Sequence, residues 1–192
     1  YDLNRRDFLV GSAVTLTGLA VLSTSSLDRD TPKALLRPPG VNNDEFLQRC
    51  LRCGLCLRAC PTGALQPSIT ESGLQGFLSP ILVPRLGYCL YSCNTCGQVC
   101  PVDAIPALSL EAKQLQVMGH AFIDENRCIP WSENRSCIVC EEMCPLPQKA
   151  IHLEEREFFD SDGTPLVVTL PIVNRELCIG CGICEYKCPR SG

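Results

Sequence analysis

Four times along the 192 residues, four cysteines gather and the last of them is followed by proline. The groups are Cys50, Cys53, Cys56 and Cys60; Cys89, Cys93, Cys96 and Cys100; Cys128, Cys137, Cys140 and Cys144; and Cys178, Cys181, Cys184 and Cys188. The first and last read C-x2-C-x2-C-x3-C-P, the spacing that wraps [4Fe–4S] clusters in bacterial ferredoxins. Three thiolates on one tight loop reach three corners of a cube, and the cysteine before proline completes a different cube. Pro61, Pro101, Pro145 and Pro189 then turn the chain away, since proline fixes φ and removes a donor. Gly54, Gly97, Gly180 and Gly182 let the backbone approach closely. All sixteen cysteines are used at four per cluster, so the expectation is four [4Fe–4S] clusters and chemistry in single electrons.

Two other uses of cysteine fit less well. The cysteine content passes for a disulfide scaffold, but residues two or three apart do not pair freely, and such a framework gives no reason to repeat C-x2-C-x3-C-P. Structural zinc takes its ligands from two separated pairs rather than three in one loop. The inner groups are spaced C-x3-C-x2-C-x3-C-P and C-x8-C-x2-C-x3-C-P, the latter with Pro130, Trp131 and Asn134 in its insertion. No ligand is missing from either, so [4Fe–4S] is expected there as well. Matched spacing suggests a nested pairing of the groups. Cys188 would then join Cys50, Cys53 and Cys56, and Cys60 would join Cys178, Cys181 and Cys184. Cys144 would join Cys89, Cys93 and Cys96, and Cys100 would join Cys128, Cys137 and Cys140. Sequential pairing, one with two and three with four, stays open as the alternative.

The elements that must position these thiols are short. A helical pattern runs from Asp44 to Leu57, and single helical turns are expected after each Cys-Pro, from Pro61 to Leu65, Pro101 to Ile105 and Pro147 to Leu153. Val117 to Ile123 and Leu166 to Val173 read as strands, the second after the turn signal Asp160-Ser161-Asp162-Gly163. The fold class is α+β: tandem ferredoxin-like units of short helices and small antiparallel strands. Aromatic residues are only 6% of the chain, so the clusters must crosslink the fold as structural metals do. His120 and His152 are expected as packing or surface residues, and Trp131 as packing over the inserted loop. Arg127 and Lys149 read as solvated charges flanking clusters. The net charge of −4 grows more negative once thiolates are counted, which leaves no basic patch for nucleic acid. No phosphate loop, Ser/His/Asp set or carboxylate pair points to a catalytic site of its own.

At the front, Arg5-Arg6-Asp7-Phe8-Leu9 matches a twin-arginine export signal. The apolar run from Phe8 to Leu22 follows, and no A-x-A cleavage site appears before Ser26. Residues 8–26 as a helix would span roughly 28 Å, about one hydrocarbon core. Residues 1–27 are therefore expected to be a retained transmembrane anchor, with the arginines cytoplasmic and the clusters on the periplasmic side. Residues 28–43 are expected as a linker and 44–192 as the cluster domain. With Tyr1 in place of an initiator Met, a few residues are expected to precede it.

Taken together, these residues resemble the exported ferredoxin-type proteins of the NapG/MauM group. The resemblance rests on Arg5-Arg6-x-Phe8-Leu9, Leu36-Arg37-Pro38-Pro39-Gly40, Phe46 before Cys50-x2-Cys53-Gly54-x-Cys56, the long gap from Cys128 to Cys137, and Cys178-x-Gly180-Cys181-Gly182-x-Cys184. It implies that the sixteen cysteines hold clusters fed by a membrane quinol- or quinone-reactive subunit. Electrons would pass on to a periplasmic redox enzyme or cytochrome within a hetero-oligomeric complex. The methylamine dehydrogenase branch implies an alternative, a redox maturation factor for a periplasmic enzyme. Two departures are the spacing of Gly87-Tyr88-Cys89-Leu90-Tyr91-Ser92-Cys93 and an end at Pro189-Arg190-Ser191-Gly192, where relatives continue.

Overall fold

A computed structural model describes residues 35–159 and 162–190. The expected anchor and most of the linker lie outside the described residues. Among those described, no helix is long and apolar enough to cross a membrane.

The chain enters through Leu36-Arg37-Pro38, where a linker was expected, and these residues are part of the domain. Leu82 donates its N–H to Leu36 O at 2.8 Å, and Arg37 and Pro38 are buried. The Arg37 guanidinium donates to Asn43 Oδ1, Ser79 Oγ and Pro80 O, each at 2.9 Å, and lies 5.1 Å from the centroid of the Phe46 ring. The helical pattern from Asp44 to Leu57 breaks into two helices. Helix α1 (Asn43–Arg49) is capped by the Asn42 side chain and buries only Phe46. That single ring contributes about 1.5–3 kcal/mol, packed with Ala104 and Ile105 from beyond the second cysteine group. Helix α2 (Leu55–Ala59) starts at Gly54, whose φ of 75° reverses the chain between Cys53 and Cys56.

The hairpin of β1 (Leu65–Pro67) and β2 (Pro80–Leu82) pairs Leu65 with Leu82 and Pro67 with Pro80. Helices α3 (Thr95–Gln98), α4 (Leu110–Gln114), α5 (Ile129–Glu133) and α6 (Val139–Glu142) follow. The long hairpin is β3 (Ile151–Phe159) with β4 (Pro165–Val173), in antiparallel register from Ile151↔Val173 to Phe159↔Pro165. Helix α7 (Ile183–Tyr186) completes the order. The expected second strand is therefore present.

Two expectations fail for identifiable reasons. The segments after Cys-Pro are reverse turns and bends; the helical turn instead lies between the third and fourth cysteine of each group, as α2, α3, α6 and α7. A helical turn there carries the third thiol and aims the fourth at a different hollow. Residues 117–123 form no strand. Their bonds go to the last cysteine loop: Met118 N–H to Ile179 O at 2.9 Å, and Ala121 N–H to Cys178 Sγ at 3.3 Å.

That contact demands glycine at position 180. A Cβ on Gly180, where φ is 71°, would lie 2.5 Å from the backbone N and O of Gly119. Gly180→Ala combines left-handed strain of about 1–2 kcal/mol with overpacking of about 1–3 kcal/mol. We expect it to lower the thermal midpoint by several degrees in calorimetry of anaerobic protein, whereas Gly163→Ala, with nothing within 4 Å of its Cβ, bears the strain alone.

Candidate iron–sulfur centres

All sixteen thiols lie within the described residues, and none is in a disulfide. They assemble as four quartets, and the pairing is sequential rather than nested. Cys50, Cys53, Cys56 and Cys100 line one hollow of about 400 Å³ that opens to solvent. Cys60, Cys89, Cys93 and Cys96 line a second of about 380 Å³. In the other half, Cys128 faces the charges of Cys137 and Cys188, and Cys140 those of Cys128 and Cys137. Cys181 in turn faces Cys144, Cys89 of the second quartet and Cys178, and Cys184 faces Cys181 and Cys178 ahead of Cys140. The third quartet is thus Cys128, Cys137, Cys140 and Cys188, and the fourth Cys178, Cys181, Cys184 and Cys144.

Packing decides this arrangement. Helix α2 lies against α3, and α6 against α7, so each half joins two neighbouring cysteine groups back to back. The pocket of Phe46, Ala104 and Ile105 holds Cys50 and Cys56 beside Cys96 and Cys100. Matched spacing in the outer groups reflects a shared loop geometry, with Gly54 and Gly182 both left-handed at the start of their helices. It does not reflect contact.

The donor set suits a cube of iron and sulfide. Among the described residues no three His, Cys, Asp or Glu side chains converge closely enough to hold one ion; the sulfurs ring hollows instead. Several of these partly buried thiols also crowd one another. Burial, and then the neighbouring Cys89, pushes Cys96 up to about 12; burial and Cys181 push Cys184 up to about 12. Cys56 and Cys140 rise to about 11 from burial together with Cys50 and Cys128 respectively. Protons therefore occupy these sulfurs in the absence of iron, and a cation is needed to bring four thiolates together. Donors are ready for that charge. Cys60 is raised by burial, yet the Thr62 hydroxyl and the N–H groups of Leu65, Thr62 and Ala64 hold it below the usual thiol value. Thr95 Oγ1 lies 3.3 Å from Cys93 Sγ, and the Ile105 N–H donates to Cys100 Sγ at 3.5 Å. Such N–H and O–H contacts to sulfur tune iron–sulfur potentials.

The other singled-out residues take structural places. Trp131 donates Nε1–H to Pro171 O at 3.4 Å and sits under Arg156, fastening α5 onto β4. His120 is exposed, and exposed His152 pairs with Glu154 at 3.2 Å. Lys149 bonds Glu141 at 2.6 Å, and Arg127 donates to Arg190 O at 3.0 Å. Sequence reasoning missed the buried cations Arg37 and Lys113. The only outward trace of Lys113 is the extra residue in the C-x3-C spacing that it fastens.

The 4Fe-4S dicluster domain matches residues 49–104, and the 4Fe-4S binding domain matches residues 171–191. The dicluster match spans the first two cysteine groups, in keeping with their pairing. The chain is 35% identical to the ferredoxin-type protein NapG of Escherichia coli (strain K12), over 96% of this chain and 80% of that one. It is 31% identical to the methylamine utilization ferredoxin-type protein MauM of Methylorubrum extorquens, over 96% and 84% of the two chains. With MauM of Paracoccus denitrificans the identity is 30%, over 97% and 83%. No solved structure matches. With its thiols gathered on paired 4Fe-4S ferredoxin domains and its relatives aligned along nearly the whole length, the chain belongs to the NapG/MauM family of ferredoxin-type proteins, whose chemistry is iron–sulfur electron transfer.

Proposed function

We propose that this chain is a membrane-anchored electron-transfer subunit on the periplasmic side of the cytoplasmic membrane. It relays single electrons through four [4Fe–4S] clusters between a quinol-reactive membrane partner and an exported oxidoreductase or cytochrome. When bound, each cluster supplies a site that alternates between two states one electron apart. The observation that carries the reading is the unbroken line of quartets. The first meets the second where Cys56 lies near Cys96. The second meets the fourth through the Cys89 N–H, which donates to Cys181 O at 2.8 Å, with Tyr88 and Tyr186 5.4 Å apart beside it. The fourth meets the third where Cys184 faces Cys140.

The order first, second, fourth, third leaves two ends for two partners. At one end Cys53 is exposed between Leu51 and Leu55, which are 64% and 45% exposed. At the other lie Ile138 and Met143. The twin arginines and apolar run of the sequence support export and anchoring.

Anaerobically prepared full chain should carry roughly sixteen irons and accept about four electrons in a reductive titration. Far fewer irons would end this reading. Protease added to intact spheroplasts should digest the cluster domain, and full protection there would place it on the wrong side of the membrane. Co-purification in fixed ratio with an active oxidoreductase is expected; its absence from every finished complex would favour the maturation role.

A further inference from the structure

Lys113 is the one lysine among the described residues that is fully buried, at 1% exposure. It sits on α4, whose first turn is capped by the Ser109 hydroxyl. Its ammonium donates to Leu90 O at 2.7 Å and Tyr91 O at 3.3 Å and lies 5.9 Å from the centroid of the Tyr91 ring. Those carbonyls belong to the C-x3-C loop between Cys89 and Cys93. The inserted residue thus gives that loop two carbonyls turned towards a cation.

A buried ammonium is costly unless an opposite charge answers it. Among the ion pairs of the described residues, no carboxylate pairs with Lys113. The carbonyls solvate it without neutralising it. The loop it fastens carries two thiols of the second quartet, Cys89 and Cys93, the groups there that would bear negative charge. The third and fourth quartets have no fully buried lysine or arginine beside them among the described residues.

We propose that Lys113 sets the reduction potential of the cluster held by Cys60, Cys89, Cys93 and Cys96, raising it above that of the adjoining fourth quartet. Each electron taken up adds one negative charge at the quartet, with no bond made or broken. A fixed, desolvated positive charge stabilises that state more than the oxidised one, in a low-dielectric setting where such charges count most. Lys113 touches no substrate; it acts from the carbonyls of Leu90 and Tyr91, on the loop that carries Cys89 and Cys93. The inference rests on the reading that the quartets hold [4Fe–4S] clusters.

The test is an EPR-monitored redox titration of full-length, anaerobically prepared chain. Far fewer than roughly sixteen irons in the unaltered protein would overturn the cluster reading before any variant is made. With that count in place, Lys113→Met should keep its iron while one cluster loses reducibility. At fixed potential its reduced-to-oxidised ratio should fall at least about tenfold, ~59 mV for one electron. The signal that moves should be the one missing from Cys93→Ala. Lys113→Arg, which keeps the charge, should leave the ratio within about twofold of the unaltered chain, reading as a small fraction of that shift. Four unchanged potentials in the Met variant, or an equal shift in the Arg variant, would overturn the proposal. If the Met variant loses iron, Lys113→Gln decides, because it keeps a donor for the two carbonyls without the charge. The same fall in ratio there supports the proposal; unchanged potentials, or loss of iron again, would make Lys113 a structural clamp and overturn it.

Discussion

Replacing Cys100 by alanine should cost the chain the cluster bound by Cys50, Cys53 and Cys56, although Cys100 belongs to a different group in the sequence. The expectation follows from the first hollow, which Cys100 shares with those three thiols, and from the joint packing of Cys50, Cys56 and Cys100 on Phe46 and Ile105. Cys53→Ala should remove the same EPR signal. The double variant Cys53→Ala/Cys100→Ala should then lose no more iron than either single change, about four of roughly sixteen. Cys100→Ala/Cys140→Ala should lose about eight, because Cys140 serves another quartet. The nested arrangement reverses both results, so iron counts on two double variants are enough to choose. Transfer from one partner to the other should fall by more than the 10–100-fold typical of outer-shell changes, since the first quartet terminates the line. Undiminished transfer through Cys100→Ala would show that electrons bypass that end.

The contrast between ligands and pairing marks what could be read without coordinates. The gathering of the sixteen cysteines into groups was legible because their spacing is local: three sulfurs on one loop, one before proline. The α+β class and β4 were legible for a similar reason, alternation and a turn signal acting over a few residues. Pairing was not. Similar spacing in the outer groups describes two loops built alike, and nothing in it reports that α2 meets α3 or that Phe46 meets Ala104. The apolar stretch at 117–123 misled in another way. Its backbone N–H groups run to Ile179 O and Cys178 Sγ in place of a neighbouring strand. Lys113 was hidden because Leu110-Glu111-Ala112-Lys113-Gln114 looks like an exposed helical turn. Only the fold turns that face inward over the C-x3-C loop. The packing of Leu36-Arg37-Pro38 was missed because proline and charge usually mark linkers, whereas here four hydrogen bonds hold the guanidinium in place.

Stripping the iron anaerobically with a chelator should do more than silence electron transfer: it should unfold the cluster domain. Among the described residues the apolar core is thin: Phe46, Ala104 and Ile105 form one cluster, Ala64, Leu65 and Leu82 another, and Ile151, Val168 and Leu170 are buried on the long hairpin. At about 1.5–3 kcal/mol for each large side chain fully buried, these offset only a small part of a backbone entropy cost of about 1–2 kcal/mol per residue. The β3–β4 ladder is the longest regular element among the described residues, and an isolated two-stranded hairpin is at best marginal in water. Bound structural metal contributes about 10–16 kcal/mol in small domains, as much as the roughly 5–15 kcal/mol by which a whole domain is stable. Four such sites, as proposed above, would dominate the balance here. Without them the buried thiols hold their protons, as the rise of Cys96 and Cys184 to about 12 indicates, and no bond ties α2 to α3 or α6 to α7. The expected result is loss of the cooperative melting transition and collapse of amide dispersion in the NMR spectrum of the stripped chain, with recovery on anaerobic return of iron and sulfide. A stripped chain that still melts cooperatively with dispersed amides would mean that side-chain packing alone carries the fold, and that the thiol quartets are guests in it.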